Sequence, residues 1–163
     1  MCVALGLGGN LGDPVAWFRI AAKTFAPHLT SLAAAPLYRS EAVSPIRQPP
    51  YLNTVLAGLT ATAPEDLLAI AKALELAAGR RAGPRDSPRP LDVDLLLYGD
   101  LVRDTLELRL PHPRLRLRSF ALAPLADLAP DAPLPPDGRT VAAILAEMDG
   151  AQGVVRIGRW LEG

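Results

Sequence analysis

The chain has 163 residues, with 17 Lys+Arg against 17 Asp+Glu, and that balance argues against broad electrostatic binding to nucleic acid or to an anionic membrane. Its length fits one domain spanning residues 1–163, large enough to bury roughly 70% of its unfolded surface without staples. Cys2 is the only cysteine, which excludes a disulfide framework and a zinc cluster; with no basic-then-apolar opening and no apolar run near the roughly 20 residues of a membrane span, the expected compartment is the cytoplasm.

Residues 2–8 are small and apolar and predict a buried strand that runs into Gly8-Gly9-Asn10-Leu11-Gly12-Asp13-Pro14. Asp13 followed by Pro14 marks a helix start, a capping carboxylate and then a residue whose missing N–H costs nothing in the first turn. Trp17, Ile20, Ala21 and Thr24 carry helical spacing to about Ala26. The glycines serve either a tight turn or the close approach of a ligand to the backbone. They are not a dinucleotide fingerprint, because the spacing is wrong by one and the next strand, about Leu29 to Ser40, lacks an acidic end for a ribose. Glu41 to Pro50 is a proline-rich loop, long enough to be marked for function. Tyr51 to Thr60 alternates as a strand, with Tyr51, Asn53 and Val55 on one face. A second helix follows: Thr62 caps it, Pro64 fills the first turn, Glu65 completes a capping box and Gly79 ends it. Its stripe is Leu67, Ile70, Ala71, Leu74 and Ala78. Glu75 lies off that stripe, in a last turn where the helix dipole opposes a carboxylate.

Residues 80–89 hold Arg80, Arg81, Arg85 and Arg89 in a loop with two prolines. The loop leads into Leu91–Tyr98, an apolar run of strand length interrupted by Asp92 and Asp94. A strand of period two sends both carboxylates out of one face, with Val93 and Leu95 pointing into the opposite layer. Two like charges side by side repel unless a proton or a metal sits between them, and oxygen-only ligands suit Mg²⁺. An arginine run alone reads as a solvated surface loop. Beside an acid pair it matches phosphate chemistry, since guanidinium forks fit phosphate oxygens and neutralise a transferring phosphoryl group. After a turn at Tyr98-Gly99-Asp100 and a short strand near Leu106–Leu110, His112 is held extended between Pro111 and Pro113. Arg114, Arg116 and Arg118 follow it as a second cationic cluster, so His112 is either structural or functional. Ser119 is expected to cap a third helix through Leu128, with Pro124 kinking or interrupting it. Asp137-Gly138 forms a turn, Thr140 caps a last helix through Met148, and Val154–Ile157 forms a closing edge strand. His28 has no assigned chemistry. The order β-α-β-β-α-β predicts an α+β, ferredoxin-like core: a mainly antiparallel sheet with helices on one side, plus a C-terminal helical extension.

Five segments in order then carry a resemblance: Gly8-Gly9-Asn10-Leu11-Gly12-Asp13; Gln48-Pro49-Pro50-Tyr51-Leu52-Asn53; Glu75 with Gly79-Arg80; Arg89-Pro90-Leu91-Asp92-Val93-Asp94-Leu95-Leu96-Leu97-Tyr98-Gly99; and Leu110-Pro111-His112-Pro113-Arg114-Leu115 through Arg118-Ser119-Phe120. This set resembles the 6-hydroxymethyl-7,8-dihydropterin pyrophosphokinase family of folate biosynthesis over nearly the whole chain to about Pro136. The resemblance implies transfer of the β,γ-pyrophosphoryl group of ATP to the hydroxymethyl oxygen of a reduced pterin, releasing AMP. It implies that Asp92 and Asp94 hold two Mg²⁺ ions and that Arg80 and Arg89 neutralise the phosphates. It further places His112 and Arg118 on the nucleotide with Glu75 and Leu95 nearby, makes Arg81 or Arg85 a second loop arginine, and lines the pterin slot with Ser40, Val43, Tyr51, Asn53 and Phe120. The loop here is one residue shorter than the family pattern, and Asp86 stands near the place of its tryptophan. The partners implied are the pterin and ATP, with no nucleic acid, no membrane and a monomeric state. Two rivals are a non-catalytic ferredoxin-like module that binds nucleotides or RNA, and a metal-dependent nucleotidyltransferase or nuclease. The first has to explain acids on a phosphate-binding face and a sheet without paired aromatics for base stacking.

Overall fold

The computed structural model describes residues 1–42, 45–79, 87–148 and 153–161. Val43, Arg80, Arg81 and Arg85, all assigned ligand contacts by the resemblance, lie outside the described residues. The elements in order are β1 (Cys2–Gly9), α1 (Pro14–Phe25), β2 (Thr30–Ala34), β3 (Leu37–Ser40), β4 (Tyr51–Leu59), α2 (Pro64–Ala77) and β5 (Asp92–Tyr98). Then come β6 (Arg103–Asp104), β7 (Arg109–Leu110), α3 (Ser119–Leu128), β8 (Pro133–Leu134), β9 (Arg139–Thr140), α4 (Val141–Glu147) and β10 (Val155–Gly158).

The main sheet runs β10-β3-β4-β1-β5, with β2 also on β4, and its described pairings are all antiparallel. This is the ferredoxin-like arrangement, extended at one edge by β10. The single strand expected over 29–40 is two strands, both on β4, separated by Ala35 and Pro36; proline has no N–H to give to a ladder.

Alternation along β1 sorts the two layers. Val3, Leu5 and Leu7 face α1 and α2, in a cluster with Phe18, Phe25, Leu67, Leu74, Val93 and Leu95. α1 starts as expected, with the Asp13 carboxylate accepting from the Ala16 N–H at 3.1 Å. Its buried face, however, is Phe18, Ala21, Ala22 and Phe25, while Ile20 is 43% exposed. Burying two phenyl rings outweighs burying Ile20 and Thr24. α2 ends at Gly79, whose φ of +92° favours glycine, but the expected capping box is absent. Ala63 occupies the cap position without a side-chain bond. The Thr62 hydroxyl instead meets His28 Nδ1 at 3.2 Å and its carbonyl accepts from the Tyr98 hydroxyl at 2.7 Å, while Glu65 pairs with Arg103.

The C-terminal extension covers part of the other face. α3, α4 and the hairpin β8–β9 pack Leu122, Leu125, Leu134, Val141 and Ile144 against Ala4, Val55, Leu96 and Leu97. Ser119 is the first residue of α3 and not its cap, and the helix continues through Pro124 to Leu128. Thr140 caps α4 by accepting from the Ala143 N–H at 3.1 Å. The expected Asp137-Gly138 turn is present and joins β8 to β9, two short strands the sequence does not announce. The rest of that sheet face, over Gly6, Gly8, Asn53 and Asp94, borders a cavity.

Candidate active site

Asp92 and Asp94 leave β5 toward the cavity, while Val93 and Leu95 are buried in the layer with α1 and α2. Across the ladder, Gly8 faces Asp92 and Gly6 faces Asp94. On the far side of β1, Gly8 faces Asn53 of β4. An amide, a glycine and a carboxylate therefore form one row across three strands, with Asn53 roughly 10 Å from Asp92 at two interstrand spacings. The two glycines put no side chain beside the acids, and space for a ligand is kept above the sheet. The cavity over this row is about 810 Å³, within the range that holds a small-molecule ligand.

The register shifts between Ala4 and Leu5, so that Ala4 pairs with Leu97 and Leu5 with Leu95. Leu96 is the extra residue of this bulge and lines the cavity. The Leu95 side chain, assigned a place near the nucleotide by the resemblance, is turned the other way and is 4% exposed. Glu75 also lies behind the sheet. It is 3% exposed, and its carboxylate accepts from the Val93 N–H at 2.9 Å with Lys72 3.9 Å away. Far from lying off the stripe, Glu75 is buried on the face of α2 that carries Leu67, Ala71 and Leu74, and it bonds the backbone between the two acids.

Cations reach the acids from both ends. Arg89 Nη1 lies 3.1 Å from Asp92 Oδ1. Burial works against its charge, but Asp92 outweighs that and raises its pKa. Arg118 Nη1 is 3.7 Å from Asp94 Oδ2, and His112 Nε2 is 3.9 Å from Asp94 Oδ1. His112 Nδ1 accepts from the Arg114 N–H at 3.1 Å, so the ring proton sits on Nε2, toward Asp94. Burial lowers the His112 pKa, as does Arg118, against the opposing pull of Asp94. A neutral imidazole at 3.9 Å makes no ion pair with Asp94. Arg116, grouped with these cations in the sequence, turns away: its guanidinium forks onto Asp137 at 2.7 and 2.9 Å and donates to the Leu134 and Pro135 carbonyls. Arg114 does line the cavity.

The other end holds Ser40, Tyr51, Asn53 and Phe120. Asn53 is 5% exposed, and its Nδ2 donates to the Ser40 hydroxyl at 2.8 Å. The Arg118 guanidinium carbon lies 5.4 Å from the centroid of the Phe120 ring, a cation–π contact that joins the two ends.

In the sequence, Asn10 stands out only as part of a glycine turn. Its Oδ1 accepts from the Arg89 N–H at 2.9 Å, and its own N–H donates to the Arg89 carbonyl at 2.9 Å. Its Nδ2 donates to Gln48 Oε1 at 2.8 Å and to the Pro49 carbonyl at 3.0 Å. One buried amide thus fastens three loops. Gly9 allows this approach: a Cβ there would lie 2.5 Å from the Pro90 carbonyl oxygen. Partners 38 to 79 residues away leave no periodic trace in the sequence; the only signal was a lone Asn between glycines.

Residues 4–130 match a family model described as 7,8-dihydro-6-hydroxymethylpterin-pyrophosphokinase (HPPK). A 2-amino-4-hydroxy-6-hydroxymethyldihydropteridine pyrophosphokinase of Pseudomonas aeruginosa is 42% identical over 146 residues, 88% of this chain and 90% of that one. A protein of the same name from Methylorubrum extorquens is 36% identical over 155 residues, covering 94% and 96% of the two chains. Among solved structures, wild-type Plasmodium falciparum HPPK-DHPS with SDX-DHP superposes with a TM-score of 0.65 at 12% identity, over 90% of this chain and 43% of that one. At that identity the likeness speaks for the fold, and the chain spans less than half the length of that larger protein.

Proposed function

The chain belongs to the 7,8-dihydro-6-hydroxymethylpterin-pyrophosphokinase family, and from this we propose that it transfers pyrophosphate from ATP to the hydroxymethyl oxygen of 6-hydroxymethyl-7,8-dihydropterin in folate biosynthesis. The products are the pterin diphosphate and AMP. The observation that carries the placement of the substrates is the row Asn53, Gly8, Asp92 across β4, β1 and β5. A planar heterocycle read by the Asn53 amide at one end has its reacting arm pointing along the glycine gap toward the acids.

The donors on the cavity floor are the two carboxylates Asp92 and Asp94, an all-oxygen set that suits Mg²⁺, which is commonly held by one or two carboxylates with waters and substrate phosphates. Asp92 and Asp94 are the residues that would hold two such ions, which supply charge neutralisation to the triphosphate when bound. The chain's own groups do the rest by position and charge. Arg89 is oriented by Asn10 from behind and by Asp92 at its head, so its guanidinium is fixed before a nucleotide arrives. Arg118 and neutral His112 offer donors on the Asp94 side without adding a second full positive charge there. Asn53 both donates and accepts along a pterin edge, and Tyr51 or Phe120 supplies a ring to stack on. The family resemblance supports a monomer, the length supports a single domain, and a lone cysteine fits a reducing compartment such as the cytoplasm.

The test is AMP formation from ATP that requires both Mg²⁺ and hydroxymethyldihydropterin. Asp92→Ala and Asp94→Ala are expected to abolish turnover while leaving the circular-dichroism spectrum unchanged. Near-wild-type rates in both variants would remove the acid pair from the mechanism.

A further inference from the structure

The family model matches residues 4–130, and two side chains beyond that span, Met148 and Val154, line the same cavity. They belong to its pterin end. β10 pairs with β3 so that Val155 faces Arg39, which sets Val154 level with Ser40, the partner of Asn53. A Cβ on the preceding Gly153 would lie 3.9 Å from Glu41 Cγ. Met148 follows α4 and packs on the same cluster as Phe120, at the start of α3.

The segment that brings Val154 there is anchored three times. β10 is hydrogen-bonded along β3. Arg156 reaches Asp127 of α3 at 3.8 Å, and the Tyr38 hydroxyl donates to the same carboxylate. Trp160 is 6% exposed and enters the break between β2 and β3. Its Nε1 donates to the Ala35 carbonyl at 2.8 Å and meets the Thr54 hydroxyl at 3.2 Å, while its ring stands edge-on to Phe18. A tail fixed at this many points is a built wall and not a loose end.

We propose that Met148 and Val154 form an apolar wall of the pterin slot, and that the C-terminal strap β10 through Trp160 sets the affinity for the bicyclic substrate without touching the nucleotide. The polar edge of such a ring is met by Asn53 and Ser40. Its apolar rim, otherwise in water, is covered by the two side chains from the strap and α4. The inference rests on the reading of Asn53 as the pterin contact.

The experiment measures steady-state KM for both substrates in the full chain. Val154→Asp places a charge on the wall and is expected to raise the KM for the pterin more than about tenfold; Met148→Ala removes apolar contact and raises it about fivefold. In both, the KM for ATP moves less than about twofold, and Val155→Ala, one residue along and 60% exposed, changes neither. An unmoved pterin KM in Val154→Asp, or an equal rise for ATP, overturns the wall. Should Met148→Ala fail to fold, Val154→Asp at a half-buried position still decides. Absence of AMP formation by the unaltered chain is a different result, which sinks the reaction and not the wall.

Discussion

Arg89 and Asp92 meet at 3.1 Å with each about a quarter exposed, and a contact of that kind adds little to stability on its own. Its value lies in holding a guanidinium at the edge of the acid pair. Arg89→Ala is therefore expected to lower kcat by roughly a hundredfold while the KM for ATP changes only a few-fold, because the group acts where charge develops in the transition state; a raised KM for ATP with kcat unchanged would make it a plain binding residue. Arg116 has the opposite role, and its signature is acid sensitivity. Its two hydrogen bonds, with the Arg139 N–H, hold the Asp137 pKa down to about 2 from 3.8. A carboxyl depressed in the folded state contributes stability that is present above its unfolded value and lost as pH falls through the folded one. Urea unfolding of wild type and Asp137→Asn is expected to differ at neutral pH and to converge from about pH 4 down to about pH 2. A constant difference over that range would assign the effect to packing.

At the scale of elements, the turn after β1 works as a fastener. Asn10 is 6% exposed and bonds Arg89, Gln48 and Pro49, so Asn10→Ala leaves a part-buried Arg89 N–H without its acceptor. The expected cost is about 1–3 kcal/mol, with a fall in kcat that follows from a displaced Arg89. Thermal unfolding with parallel kinetics checks it, and full activity in a destabilised variant would confine Asn10 to structure. Much of the element pattern was legible. The Asp13-Pro14 start, the Gly79 stop, the Thr140 cap and the β10 edge strand are where local chemistry puts them, because caps and proline act within one turn of themselves. Thr62 misled for a physical reason: its hydroxyl found His28, and its carbonyl found Tyr98, partners that no local rule contains.

Across the whole molecule, the sheet is closed on one side by α1 and α2 and only partly closed on the other, and that unequal cover makes the cavity. Trp160 ties the tail to both layers through Ala35, Thr54 and Phe18. Trp160→Ala is expected to cost about 3–5 kcal/mol, the usual penalty for removing a large buried ring, as a lower urea midpoint with an unchanged slope. A loss well under about 1 kcal/mol would mean that the tail is dispensable. Among the described residues no helix is long and apolar enough to cross a membrane.

The sequence by itself determined which side chains could share a face. Period two put Asp92 and Asp94 together, and the order of the segments put the strands into a ferredoxin-like sheet. Only the tertiary structure decided that a bulge falls at Leu96, that Glu75 bonds the backbone behind the acids, that Arg116 serves a hairpin, and that Trp160 seals a gap 125 residues away. Periodicity reports the direction a side chain takes from its own backbone. A bulge, a distant carbonyl or a vacancy in a neighbouring strand chooses its partner, and those exist once the chain has folded.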